Sequence, residues 1–146
     1  MIEIKTTSLA KAYQVLEQIP EFVALQPIAK FAQRLEGKTA LILVAYDRDL
    51  AVGVKMGYAL SDSVFYTWMG GVIPAYRGQG IAQQLADVQV AWVCDQGFET
   101  IQLKTRNRFK GMLHFALSDG FDLIGVSKEK ADSIADYRIL LEKKLS

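Results

Sequence analysis

The chain predicts an α/β fold built on a mostly antiparallel sheet, and three observations lead there. Three apolar segments with strand-like alternation follow one another between residues 40 and 73, separated only by short polar turns. Two amphipathic helical patterns precede them and a longer one follows. A strand, a helix and two further strands complete the order, so that strands and about four helices interleave within 146 residues.

Each element has a local reason. Residues 2–6 alternate as a short edge strand, and Ser8 is placed to cap a helix running to about residue 18, with Leu9, Ala12, Val15, Leu16 and Ile19 on one side before Pro20 interrupts. A second helix is expected over 27–35, with Pro27 suited to its first turn and Gly37 to its exit. Residues 40–46 and 51–60 flank the polar turn Asp47-Arg48-Asp49 as a hairpin, and 63–73 supply a third strand. The long helix runs from about residue 80 to 96, presenting Ile81, Leu85, Val88 and Trp92 to the sheet, with Gly97 as its stop. Residues 100–105 then read as a strand, 107–118 as a helix, 121–126 as a strand, and 135–145 as a last strand whose end also has helical composition.

Composition fits a single compact domain over 1–146, because 51% hydrophobic residues can fill one core. With 17 basic against 16 acidic residues the formal charge is +1, which gives no bulk attraction for nucleic acid or an anionic membrane. No apolar run approaches the roughly 20 residues of a membrane span, and no basic segment followed by an apolar one opens the chain, so a cytoplasmic protein is expected. The one cysteine, Cys94, is expected as a small buried apolar residue of the long helix rather than a nucleophile.

The most informative stretch is Val72-Ile73-Pro74-Ala75-Tyr76-Arg77-Gly78-Gln79-Gly80-Ile81-Ala82, which joins a strand to a helix through a glycine-bearing loop. A helix starting here aims unpaired N–H groups and a partial positive charge at the turn, an arrangement suited to a phosphate ester. The Walker pattern is absent, and the dinucleotide pattern fails at its third glycine, where Gln83 stands. Taken by its two glycines alone, the loop could equally be an ordinary strand-to-helix turn.

The full string Val-x-Pro-x-Tyr-Arg-Gly-x-Gly-Ile-Ala resembles the acetyl-CoA signature of the GNAT superfamily of N-acetyltransferases, and the likeness runs from about residue 40 to 121 and more loosely to both ends. The closer pattern around Gly70-Gly71-Val72 and Lys104-Thr105-Arg106-Asn107 looks like a bacterial subgroup without an assigned substrate. The resemblance implies that Arg77, Gly78, Gln79, Gly80, Ile81 and Ala82 bind the coenzyme A pyrophosphate. It also implies a splayed central strand pair, ending at Ile73 and Thr105, that admits the pantetheine arm. Gly70 and Gly71, late in a strand, mark a bulge or a close backbone approach on their own account. In the family such a bulge frees an N–H for the thioester carbonyl, which counting back from Val72 puts near Gly70, an oxyanion donor. Asn107 matches the asparagine that contacts pantetheine, with a helix N-cap as its equally reasonable structural role.

The proton-transfer groups depart from the family pattern. The tyrosine usually found seven residues after the asparagine is missing: counting forward reaches His114, and counting back from Gly120-Phe121 reaches Ala116. His114, the chain's one histidine, could protonate a departing thiolate, or simply pack beside Met112 and Phe115. Tyr66 stands where some relatives carry a catalytic glutamate, and Glu21, between the first two helices, is the other candidate for relaying the amine proton, against a plain solvated acid. Tyr66 and Trp68 share a strand face and line the acceptor site or fill the core. The basic run Lys104, Arg106, Arg108 and Lys110 suits a solvated face or the ribose phosphate of coenzyme A better than nucleic acid.

The expectation is therefore an N-acetyltransferase moving the acetyl group of acetyl-CoA directly to a small-molecule or peptide amine, with no metal. The competing class is a noncatalytic acyl-CoA-binding or interaction module. Pairing of two copies through the C-terminal strands is common in the family and leaves a homodimer open.

Overall fold

A computed structural model describes residues 1–145. One seven-stranded sheet is formed by β1 (Ile2–Thr6), β2 (Ala40–Asp47), β3 (Leu50–Ala59), β4 (Val64–Val72), β5 (Thr100–Arg106), β6 (Asp122–Ser127) and β7 (Arg138–Lys144). The strands lie in the order β1-β2-β3-β4-β5-β7-β6, and all neighbours are antiparallel except β4 and β5. Among the described residues four α-helices flank it: α1 (Leu9–Leu16), α2 (Ile28–Leu35), α3 (Ile81–Asp95) and α4 (Lys110–Ser118). The mixed α/β class and the element order read from the sequence both hold.

Two apolar layers clamp the sheet. On one face Ala12, Val15, Leu16 and Ile19 of the α1 segment and Phe31 of α2 pack on Val44, Val54 and Met56. On the other, Ile81, Leu85 and Val93 of α3 pack with Leu43, Val52, Phe65, Ile101, Leu103 and Leu141. Burying such side chains stabilises the fold by roughly 1.5–3 kcal/mol each before entropy is counted. Among the described residues no helix is long and apolar enough to cross a membrane.

Several boundaries differ from the sequence reading. The α3 stripe runs through Ile81, Leu85, Ala86, Gln89 and Val93, with spacings of four that drift away from Val88, which is 39% exposed. Cys94 follows Val88 to the solvent side and is exposed rather than buried. The helix expected from residue 107 begins at Lys110, because Asn107 and Arg108 instead give their N–H groups to the carbonyls of Tyr137 and Ala135. Asn107 is therefore not an N-cap; its amide donates to the Ile134 carbonyl at 3.0 Å. Residues 134–136 form a 3-10 turn, so the last strand starts at Arg138 instead of 135.

The central irregularity is in β4. Met56 of β3 faces Met69, yet the next residue, Gly57, faces Thr67, so Trp68 is the extra residue of a bulge. The bulge lies two residues before the expected Gly70, which is in regular register with Lys55. Gly57 makes it possible: a Cβ there would collide with the Tyr66 carbonyl oxygen and lie 2.6 Å from the Phe65 ring.

On the other side of β4, parallel pairing with β5 covers only Val64–Thr100, Phe65–Ile101 and Tyr66–Gln102. Beyond Tyr66, β4 stays with β3 and β5 stays with β7, and a wedge opens between them.

Gly57→Ala is expected to destabilise the protein by on the order of 2–3 kcal/mol, since the clash is with backbone and a fixed ring rather than a movable side-chain tip. Urea unfolding measures it, and a loss under about 0.5 kcal/mol would contradict the assignment of Gly57 as the residue that seats the bulge.

Candidate active site

At the open end of the wedge, β4 passes into the loop that the sequence singled out. The Ile73 N–H closes the ladder on the Val52 carbonyl at 2.9 Å, residues Pro74–Tyr76 make one 3-10 turn, and the Tyr76 hydroxyl donates to Asp47 at 2.6 Å. That last bond holds the Asp47 carboxyl below its usual range and the tyrosine hydroxyl above its own. Gly78 and Gly80 follow with φ of 77° and 79°, the left-handed region that disfavours other residues, and no atom lies within 4 Å of where a Cβ would stand on either. The loop is thus bent by its glycines and bare on their outer side.

The first turn of α3 leaves its backbone donors uncapped. Its N-cap is Gly80, which has no side chain to cap with, and its first turn contains no acid. The first helical bond runs from the Gln84 N–H to the Gly80 carbonyl at 3.1 Å. The N–H groups of Ile81, Ala82 and Gln83 precede that bond and find no partner within the helix. Together with the helix dipole they favour a negative group.

Arg77 does not point freely into this space. Its Nε donates to the Val72 carbonyl at 2.9 Å, and its two terminal nitrogens grip the Glu21 carboxylate at 2.9 and 2.7 Å. The pair fastens the segment between α1 and α2 to the glycine loop. Hydrogen bonding from Arg77 holds the Glu21 carboxyl below its usual range, which makes Glu21 a weaker base than a free glutamate.

Inside the wedge, backbone geometry supplies donors. In an antiparallel ladder, bonded pairs alternate with pairs whose N–H and C=O groups point outward. The bonded partner of Ile73 is Val52, so Gly71 with Val54 is bonded as well, whereas Val72 with Gly53 and Gly70 with Lys55 are not. The N–H groups of Gly70 and Val72 therefore face away from β3, toward the side that β5 has left. It is divergence from β5, and not a bulge at the glycines, that frees them.

The side chains near the wedge separate by face. Tyr66 is buried beside Tyr58 and Trp68, with ring centroids 5.5 and 5.6 Å from Tyr58, and burial pushes its hydroxyl pKa up. Tyr66 and Trp68 share one face, as the alternation suggested. His114 is exposed on α4, and the residues that line the seam with α3 are Met112, Phe115 and Ala116 of α4 and Asp119 at its C-cap. Among the described residues no group of three or more potential metal-ligating side chains is gathered in one place.

That seam holds a residue the sequence reading passed over. Lys55 leaves β3 beside Gly70, where a Cβ added to the glycine would stand only 3.6 Å from the lysine Cγ, and helps line a small cavity of about 10 Å³ between α3, α4 and β5. Burial lowers the Lys55 ammonium to about 8, opposed by the Asp119 carboxylate. Asp119 also takes the Gln83 amide at 2.9 Å and faces Lys143 at 3.7 Å. Gln89, 1% exposed, lines the same cavity with its amide nitrogen unpartnered. The signal was present in the sequence: Lys55 is the one charged residue between Leu50 and Leu60.

Comparison with known proteins agrees with this arrangement. Residues 7–121 match the family model of the acetyltransferase (GNAT) family. No curated protein matches the chain. Among solved structures, the chain is similar to Ard1 from Thermoplasma volcanium (TM-score 0.86, 14% identity, covering 99% of this chain and 98% of that one). It is similar to the ribosomal-protein-S18-alanine N-acetyltransferase from Escherichia coli (0.86, 16%, 100% and 95%). It also resembles a GNAT family acetyltransferase from Elizabethkingia anophelis with acetyl-CoA bound (0.79, 16%, 99% and 98%). At these identities the likeness is one of fold.

Lys55→Met is expected to raise stability at pH 7 by on the order of 1–3 kcal/mol, because the folded chain bears the cost of desolvating the ammonium. Below pH 8 the group is charged in both states. Between about 8 and 10.5 the folded chain releases a proton that the unfolded chain keeps, so the wild type recovers that cost and the advantage of the variant shrinks. Melting temperatures of both proteins at pH 7 and pH 9.5 measure this; a variant less stable at pH 7 would contradict the assignment.

Proposed function

Because the chain belongs to the GNAT acetyltransferase family, we propose that it transfers the acetyl group of acetyl-CoA directly to a primary amine. The observation that carries this reading is one continuous path of free donors: the N–H groups at the start of α3, then those of Val72 and Gly70 on the open edge of β4. An anion at the first and a carbonyl oxygen at the last are what a pyrophosphate and a thioester require. A structural neighbour with acetyl-CoA bound supports the same donor, and another that acts on a ribosomal-protein alanine supports an amine acceptor.

In the transfer a C–N bond forms and the C–S bond breaks, the nitrogen loses one proton and the sulfur gains one. The Gly70 N–H stabilises the negative charge that grows on the carbonyl oxygen. Gly78, Gln79, Gly80, Ile81 and Ala82 supply the backbone that holds the pyrophosphate, Gly71 keeps β4 in register with β3, and Arg77 braces the loop through Val72 and Glu21. Asn107 keeps its amide oxygen for the pantetheine while its nitrogen anchors the turn at Ile134. Of the side chains expected from the sequence, Tyr66 remains as a neutral hydroxyl able to relay the amine proton to water. Glu21 is engaged by Arg77, and His114 lies outside the seam.

Lys55 takes the role of proton donor to the departing sulfur. It is the register partner of Gly70, its side chain faces the α3 and α4 side, and its pKa of about 8 lies near that of a thiol at about 8.5. A noncatalytic acyl-CoA-binding module is the second reading, and it draws on one observation: Glu21, the acid expected at the acceptor side, is already held by Arg77.

Acetyl-CoA is expected to raise the melting temperature of the wild type, of Lys55→Met and of His114→Ala, but not of Gly80→Val, whose loop cannot keep its positive φ. With an amine panel, the wild type and His114→Ala release free thiol at similar rates, and Lys55→Met is slower by about 100-fold in kcat. Stabilisation without thiol release from any amine supports the binding module; no stabilisation at all rejects both readings.

A further inference from the structure

The acceptor side of the wedge carries a charge pattern that narrows the amine. On the face opposite α3 and α4, Tyr58, Tyr66 and Trp68 form a continuous aromatic floor, extended by Phe31 of α2 with its ring centroid 4.9 Å from Trp68. Four cations surround it. The Arg34 guanidinium lies 5.0 Å over Trp68 and donates to the Tyr58 hydroxyl at 3.2 Å, the Lys38 ammonium lies 4.6 Å over Tyr58, and that of Lys104 lies 5.7 Å over Tyr66. Arg138 of β7 is the register partner of Arg106, two residues beyond Lys104 on the same strand face, and with Arg34 it favours the charged form of the Tyr66 hydroxyl against the larger effect of burial.

None of these four cations has a carboxylate within ion-pair distance among the described residues. Of the acids toward this side, Glu21 is paired with Arg77, and Glu142, the register partner of Gln102, accepts from the Gln102 amide at 3.1 Å, which leaves one carboxylate against four cations. The patch also stands at the mouth of the wedge. Tyr66 and Gln102 are the last parallel pair, and Trp68 and Lys104 are each two residues further along strands that have begun to part. A molecule that approaches Gly70 from this face crosses the patch.

Resting on the acetyl-transfer reading above, we propose that the acceptor is an amino acid, a primary amine carrying its own carboxylate. Lys104, Arg138 and Arg34 hold the carboxylate, and Trp68, the half-buried ring of the cluster, takes the carbon skeleton. The same positive field disfavours the ammonium form of the amine, lowering its pKa toward the neutral nucleophile, which offsets part of the deprotonation cost in a site without a carboxylate base. It also repels polyamines and other polycationic amines. The transfer balances as before: an N-acetyl amino acid and coenzyme A thiol form, with one proton leaving the nitrogen and one reaching the sulfur.

The full chain tests this against the twenty amino acids, their α-amides and spermidine, with two readouts. In the first, thiol release with acetyl-CoA is expected to give at least a tenfold higher kcat/KM for the preferred amino acid than for its amide, and nothing for spermidine. In the second, melting temperature with coenzyme A present, the same amino acid stabilises more than its amide. Lys104→Gln/Arg138→Gln, two exposed positions, is expected to collapse both preferences while keeping the stabilisation by acetyl-CoA. If no thiol is released but the carboxylate preference in melting persists and disappears in the double variant, acetyl transfer fails and anion recognition stands. If amides or spermidine are preferred, if no amino acid is recognised in either readout, or if the double variant keeps the preference, the proposal is overturned.

Discussion

The parting of β4 and β5 after three residue pairs is the constraint on which the rest of the molecule depends. A parallel pair in the middle of a sheet ordinarily satisfies the backbone on both sides, and leaving one edge of β4 unpaired sacrifices ladder bonds in a partly buried place. The structure tolerates this because each strand keeps its other neighbour: β4 is bonded along β3 to Val72, and β5 along β7 to Arg106. Trp68, bulged out of register, and Gly57 beneath it fix where β4 bends. What is lost in pairing becomes two N–H donors, Gly70 and Val72, aimed into an opening with the start of α3 at one end.

Two fasteners hold that opening in shape from opposite sides. Arg77 links the glycine loop, through the Val72 carbonyl, to Glu21 in the segment between α1 and α2. Across the sheet, Asp119 at the end of α4 accepts from Gln83 in the first turn of α3 and attracts Lys55 and Lys143. The glycine loop is thus tied to the segment between α1 and α2, and the first turn of α3 to the helix that covers β5. Within the second fastener Lys55 is half-buried and Gln89 is buried with its amide nitrogen unpartnered, and both cost stability there.

Much of this was legible in the sequence, for identifiable reasons. The glycine loop could be read because positive φ leaves a residue signature, and Gly78 and Gly80 both adopt it. The hairpin and the strand order before it could be read from period-two alternation. The bulge was misplaced because glycines are an ambiguous signal: Gly70 and Gly71 are in register, whereas the displaced residue is Trp68, accommodated by a glycine on the neighbouring strand. The start of α4 was misplaced because Asn107 and Arg108 bond to the segment around residues 134–137, a pairing between distant parts of the chain that local propensity cannot report. Arg77 and Glu21, 56 residues apart, were each singled out, yet only the fold makes them partners.

On the proposed acetyl-CoA reading, the open edge of β4 and the first turn of α3 form one binding path. Amide nitrogen–proton NMR spectra of the ¹⁵N-labelled protein, titrated with acetyl-CoA, test it most directly. The largest shifts are expected at Gly70, Val72, Ile81, Ala82 and Gln83, with Gly71, whose N–H is committed to β3, moving less. Shifts confined to the basic stretch around Lys104 to Lys110, or a Gly71 response equal to that of its neighbours, would contradict it.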